Sequence, residues 1–300
     1  MAYTSGDTIL DDHYNDFATS VNALWGTGST DSGYGESTTV AAVSAGNTIT
    51  AAQWTTLLAR MNSIASHQGT SITSISNPSA GDTIAAYTAL ATNIASINTA
   101  RLTVATRQSV SNTNRDNTAT FTGTLTFTHK WAWGSANQAR YFFNAGGRLS
   151  ISGTQTGHTS RTKANNWASL LTAAGTYQIT AQASGKSGGS GSADTNNTNY
   201  GYYDLTTSYV TVFKQLEDTS PYTANFVQWQ LKSSDSGASV ETSCTWVDSA
   251  ADTSYNKSIY TVLDQVDGTH RMIFGFEKHD TTHVGDNGGS ITLSGTATGS

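Results

Sequence analysis

Large apolar and aromatic residues recur at spacings of 3, 4 and 3 in three places near the start of the chain: Tyr14, Phe17, Val21 and Leu24; Trp54, Leu57, Met61 and Ile64; Tyr87, Leu90, Ile94 and Ile97. Each set occupies one face of a helix. Each follows the same turn signal, a small residue, Gly, Asp or Asn, Thr and Ile, over residues 5–9, 45–49 and 80–84. Gly reaches positive φ without steric cost, and Asp or Asn bonds its own backbone two residues on, so a repeated turn-and-helix unit is predicted. Thr50 is the expected N-cap of the second helix. An isolated helix of this length is marginal in water, so the three stripes must bury against one another or against another chain.

Residues 106–119 are polar and without period, and they predict a linker. Beyond them the period changes from 3.6 to 2. Alternating segments at 121–131, 148–152, 177–182, 209–213, 226–231, 271–276 and 290–294 are joined by Gly, Asn, Asp and Ser turns and interrupted by one short helix at 166–171. Many short alternating strands predict antiparallel sheets. The expected fold is therefore α+β, mainly β: a helical-repeat assembly module over 1–105, a linker over 106–119, and an antiparallel β-sandwich over 120–300. Within the sandwich, Trp131 and Trp133 are expected on one strand face. Tyr141, Phe142 and Phe143 would then place rings on both faces of a strand.

Composition narrows the function classes. Charged residues make up 12% of the chain, against about 25% in typical globular proteins, so the polar surface must be Ser, Thr, Asn, Gln and Gly. That suits a rigid, β-rich extracellular or particle-borne protein. The net charge of −6 argues against a phosphate-tracking surface, and no nucleic-acid partner is expected. Cys244 is the only cysteine, which excludes an intramolecular disulfide framework. It alternates with Val240, Thr242 and Trp246 and is expected to be a small buried hydrophobe. With no basic-then-apolar leader and no apolar run of about 18 residues, neither a secretion signal nor membrane insertion is expected.

From Phe127-Thr-His-Lys-Trp131 through Ala136-Asn-Gln-Ala-Arg-Tyr-Phe-Phe-Asn-Ala-Gly-Gly-Arg-Leu149, the chain resembles a module of structural proteins of tailed bacteriophages, especially those infecting cyanobacteria. The N-terminal pattern, with Leu24-Trp-Gly26, Gly33-Tyr-Gly35 and His67-Gln-Gly69, is similar to the same proteins. The resemblance implies a virion component of the tail, fibre or baseplate, without intrinsic chemistry and without a cofactor. It implies assembly in the host bacterial cytoplasm, attachment to other virion proteins, and contact with a host-surface glycan or protein. The aromatic residues heading each stripe, Tyr14, Trp54 and Tyr87, are the expected assembly interface of a closed homo-oligomer, a trimer by the fibre resemblance. The alternatives are a tail-associated hydrolase of host-surface glycan and a capsid decoration or neck protein.

Motifs for chemistry are thin. Gly185-Lys-Ser-Gly-Gly189 has the spacing of a nucleophile elbow, but it lies in a Gly/Ser run without a strand-to-helix context. As a phosphate loop it lacks the leading glycine, since Thr180 stands there. The Gly-rich run 26–35 carries Asp31 where a dinucleotide fingerprint needs Gly. The densest ligand cluster follows His270: Glu277, His279, Asp280, His283 and Asp286, of which His279, His283 and Asp286 are the weak candidates for an ion. Tyr200, Tyr202 and Tyr203, beside Ser, Gly and Asn, are the expected receptor contact, because such mixtures make adaptable recognition surfaces.

Overall fold

Thr50 begins the second helix as its side chain predicts. Its hydroxyl accepts from the Gln53 N–H at 3.2 Å, while Gln53 Oε1 accepts from the Thr50 N–H at 2.9 Å, a reciprocal capping box. The computed structural model describes residues 11–79, 86–250, 254–257, 260–263 and 265–299, with 254–263 described as backbone alone. Helix α1 runs Asp11–Trp25, α2 Ala51–Gln68 and α3 Tyr87–Thr99. Gly69 closes α2 at φ +71° in the left-handed conformation that glycine favours. Of the three turn signals, those at 5–9 and 80–84 lie outside the described residues. Gly46 of the second has φ +80°, as its turn requires.

The three stripes pack on one another. Tyr14, Phe17, Val21, Leu24, Trp54, Leu57, Met61, Ile64, Leu90, Ile94 and Ile97 are all buried in one cluster, with Tyr87 partly buried against it. Tyr14 and Trp54 have ring centroids 6.1 Å apart, and Phe17 and Tyr87 5.1 Å. This corrects the expected assembly interface: Tyr14 and Trp54 are core residues of a single chain, and no further subunit is needed to cover them.

The chain divides into two units, one of Met1–Ser109, Arg140–Gly147 and Lys278–Gly289, the other of Val110–Ala139, Arg148–Glu277 and Ser290–Ser300. Both are discontinuous in sequence, unlike the serial arrangement expected from the change of period. The expected linker also contains a strand. Residues Ser111–Asn117 (β1) pair antiparallel with Thr269–Glu277, with Ser111 opposite Phe276 and Asn117 opposite His270. Being an edge strand, β1 needs a ladder of backbone bonds but no apolar face, so its sequence carries no period. Arg271 clamps it with two bonds of 2.7 Å to the Asp116 carboxylate.

A second correction concerns the aromatic run, which is helical. Helix α4 spans Ala136–Asn144 and is started by Ser135, whose hydroxyl accepts from the Gln138 N–H at 3.2 Å. Ala139, Phe142 and Phe143, spaced 3 and 4 apart, are all buried. The side chains that a strand would have put on opposite faces share one helix face.

In the second unit every strand pairing is antiparallel. A five-stranded sheet has the order β1, β12 (Thr269–Glu277), β3 (Arg148–Thr156), β4 (Thr176–Ile179), β5 (Ser184–Ser187). A seven-stranded sheet has the order β13 (Thr292–Ser294), β2 (Thr124–Ala132), β9 (Ser239–Val247), β8 (Phe226–Ser234), β7 (Val210–Leu216), β6 (Thr195–Asn196), with β14 (Ala297–Gly299) also on β2. A hairpin, β10 (Ser254–Lys257) with β11 (Tyr260–Leu263), stands apart. Helix α5, Thr162–Ala174, contains the helical segment expected at 166–171.

Period-2 alternation decides what meets between the sheets. Leu125, Phe127, His129 and Trp131 of β2, Val240, Thr242, Cys244 and Trp246 of β9, and His270, Met272 and Phe274 of β12 are buried. His129 stacks on Phe274 at 4.4 Å, and Trp246 Nε1 donates to Met272 Sδ at 3.2 Å. Burial pushes the Cys244 thiol up to about 12, so it is inert packing, as its alternation implied. The fold is α+β, mainly β.

Phe142→Ala should lower stability by about 3–5 kcal/mol, the range for truncating a buried Phe. Urea denaturation of the full chain measures it, and an unchanged midpoint would contradict the burial of this ring.

Candidate functional site

Several of the sequence motifs, Leu24 to Gly26, Gly33 to Gly35, His67 to Gly69 and Arg140 to Gly147, lie in the first unit. The Gly-rich loop folds back on the end of α1, with Tyr34 N–H donating to Leu24 O and Gly35 N–H to Gly26 O, both at 2.8 Å. Gly33 and Gly35 take φ of +98° and +84°. A Cβ on Gly35 would lie 2.5 Å from the Tyr141 ring, so the tight approach there needs glycine. The loop delivers Tyr34 to the interior. Its hydroxyl donates to Arg101 O at 2.9 Å and accepts from Gln68 Nε2 at 2.8 Å, and Gln68 Nε2 also donates to Ile97 O at 2.9 Å. One phenol thus links the ends of α1, α2 and α3, and burial raises its pKa far above the ordinary value.

The second stretch of the pattern closes on the same loop. Arg140 donates to Ser32 O at 2.8 Å and Thr27 O at 2.6 Å, and Asn144 donates to Gly33 O at 3.1 Å. Asn287 Nδ2 donates to Tyr34 O at 3.0 Å and to Glu36 Oε1 at 3.1 Å. A third set of amides holds the extended segments. Asn22 exchanges two bonds of 2.8 Å with the Val40 backbone, Asn15 bonds both polar groups of Val43, and Asn93 both of Thr73. Asn15, Asn22, Asn93 and Asn287 escaped the sequence analysis, and Gln68 and Asn144 entered it only within the motifs of the resemblance. Their signal was available, because Asn inside a helix is unfavourable unless its amide finds a partner.

Beside the network lies a polar cleft of about 320 Å³ lined by Ser66, His67, Ala105, Thr106, Asp280, Thr282 and His283. The buried ring of His67, which lines the cleft, meets the buried ring of His279 edge to face at 5.2 Å. His67 Nε2 has no hydrogen-bond partner among the described residues. Burial, and then the neighbouring His279, push the His67 pKa down to about 3. His279 Nε2 faces the carbonyls of Val284 and Gly285 at 3.2 and 3.1 Å, so it carries the proton and donates. The two rings are neutral at pH 7.

The weak ion candidates His279, His283 and Asp286 are not brought together as a ligand set. Among the described residues no group of three or more His, Cys, Asp or Glu is placed to hold a metal ion. His279 is turned to backbone carbonyls, and Asp286 pairs with Lys278 at 2.6 Å. The tyrosine segment is ordered by its own bonds: Tyr202–Asp204 form one 3₁₀ turn, Tyr202 donates to Gly237 O at 2.7 Å, and the Tyr202 and Tyr203 rings sit 5.0 Å apart. Tyr200, Tyr202 and Tyr203 are half-buried, so each keeps some surface for a contact.

Two predictions follow from the buried polar groups. Tyr34→Phe removes a donor from Arg101 O and an acceptor from Gln68, and should cost about 1–3 kcal/mol in unfolding free energy at neutral pH. Stability should also fall in acid. The unfolded histidines bind protons near 6.5 and buried His67 only near 3, so stability present above pH 6.5 is lost as pH drops toward 3, at up to about 1.4 kcal/mol per unit for each such ring. Urea midpoints at pH 7.5 and 4.5 should differ less in His67→Gln than in the natural chain, and an equal difference would contradict this account.

Comparison with known proteins finds no matching family model, no matching curated relative and no matching solved structure.

Proposed function

We propose that this chain is a non-enzymatic structural protein of a phage virion, of the tail, fibre or baseplate type, working by attachment to other virion proteins and to copies of itself. One observation carries the reading. Some of the residues on which the resemblance rests help tie the first unit together: Gly33 and Gly35 take the positive φ of the loop that carries Tyr34, and the side chains of Gln68, Arg140 and Asn144 donate to Ile97 O, Ser32 O and Gly33 O. Residues that recur for mechanical reasons are expected to look like this, whereas a shared enzymatic pattern would converge on a reacting group. The low charge, and sheet faces built from Thr, Ser and Gln opposite one another, such as Thr128 opposite Ser243 and Ser243 opposite Gln230, suit packing in a particle.

The same reading takes the three N-terminal helices as copies of one turn-and-helix unit, supported by the match between their stripes and their buried faces. It takes the two sheets as the layers of a sandwich, supported by the stacking of His129 on Phe274. Self-association uses surfaces other than Tyr14 and Trp54, and a trimer remains the expected state. Among the described residues no helix is long and apolar enough to cross a membrane. The half-buried tyrosines at 200–203 are the proposed host-facing contact.

Antibodies against the purified chain should label purified particles at the tail by electron microscopy. Particles that lack the chain by mass spectrometry would refute the proposal. Release of sugar from host-surface glycan by the chain would move the reading to the hydrolase.

A further inference from the structure

In the second unit, a chain with few charges has buried two of them together. Lys163 and Asp248 have side chains 0% and 1% exposed, with Nζ 2.7 Å from Oδ2. Both backbones are fixed. Lys163 lies in the first turn of α5, and Trp167 one turn further on stacks against Trp246 with ring centroids 5.7 Å apart and planes 13° apart. Trp246 is two residues before Asp248, whose N–H donates to Gly123 O at 2.7 Å. Nζ also donates to Ala250 O at 3.2 Å and lies 5.9 Å from the Tyr222 ring centroid.

We propose that Lys163 and Asp248 condense into an intramolecular isopeptide bond. A nitrogen in hydrogen-bond contact with one carboxylate oxygen lies within about 3.5 Å of the carboxyl carbon, the range of a near-attack arrangement, and such held pairs react with very high effective molarity. The dry surroundings favour the uncharged forms, so a proton passes from the ammonium to the carboxylate and leaves a neutral amine beside a neutral acid. The Nζ lone pair attacks Cγ. The Cγ–Nζ bond forms, the bond from Cγ to one carboxyl oxygen breaks, and that oxygen leaves as water with two of the three protons the ammonium carried. The third stays on the amide nitrogen. No oxidant or external reactant is needed, and a neutral amide replaces two buried charges that are costly to keep dry. The bond would fasten α5 to the end of β9, a covalent tie across the core of this unit.

The test is the intact mass of the purified, denatured full-length chain. The expected result is a mass one water below that of the sequence, with tandem mass spectrometry of a digest joining the Lys163 and Asp248 peptides and Lys163→Arg restoring the full mass. A natural chain at full sequence mass overturns the proposal, as does a lost water that maps to any other pair. If Lys163→Arg fails to fold, the mass and peptide map of the natural chain decide by themselves.

Discussion

A chain with few charges must satisfy its buried polar groups with neutral partners, and the rest of this structure depends on that constraint. A buried backbone group left unpaired costs about as much as a lost hydrogen bond. In the first unit much of the backbone between helices is neither helix nor strand, so ladders cannot serve it. Side-chain amides do so instead: Asn15, Asn22 and Asn93 each present a donor and an acceptor to an extended segment, in the manner of a neighbouring strand.

Tyr34 extends the same solution to the helix ends. The last carbonyls of a helix have no partner within it. Gln68 supplies Ile97 O and Tyr34 supplies Arg101 O, so the end of α3 and the residues after it are capped by groups from α2 and the glycine loop. The helices therefore do not rest on apolar packing alone. Their relative placement is also specified by bonds of fixed length and direction, which a purely apolar core does not provide.

The second unit meets the constraint for its backbone by pairing strands. Among the described residues His129 has no hydrogen-bond partner on either ring nitrogen, and it is held by stacking between aromatic neighbours. Burial pushes it down to about 3, which keeps it neutral. Lys163 and Asp248 are a buried pair of opposite charges, brought together where two stacked tryptophans fix the surrounding backbone. The outer sheet faces carry Thr, Ser and Gln together with a few cross-strand charge pairs, such as Glu241 between Lys130 and Lys232.

The local features were legible in the sequence because they depend on near neighbours. The helical stripes, the Thr50 cap and the alternation of β2, β8, β9 and β12 follow from the geometry of one helix or one strand. Cys244 could be placed on a buried face for the same reason. Partners distant in sequence lay beyond that reach. Strand β1 has no period, since an edge strand is defined by the neighbour it bonds. The run Tyr141 to Phe143 fits either a helix or a strand until Ser135 and the burial of Ala139 select the helix. The cluster at His279, His283 and Asp286 looks like an ion site in one dimension. In space, the carbonyls of Val284 and Gly285 and the ammonium of Lys278 claim two of its three members. The sequence by itself determined which faces would be buried, because periodicity is local. Which polar groups met inside was decided only by the tertiary structure, because a hydrogen bond needs both partners placed, and here they lie as far apart in sequence as Gln68 from Tyr34 and Asp248 from Lys163.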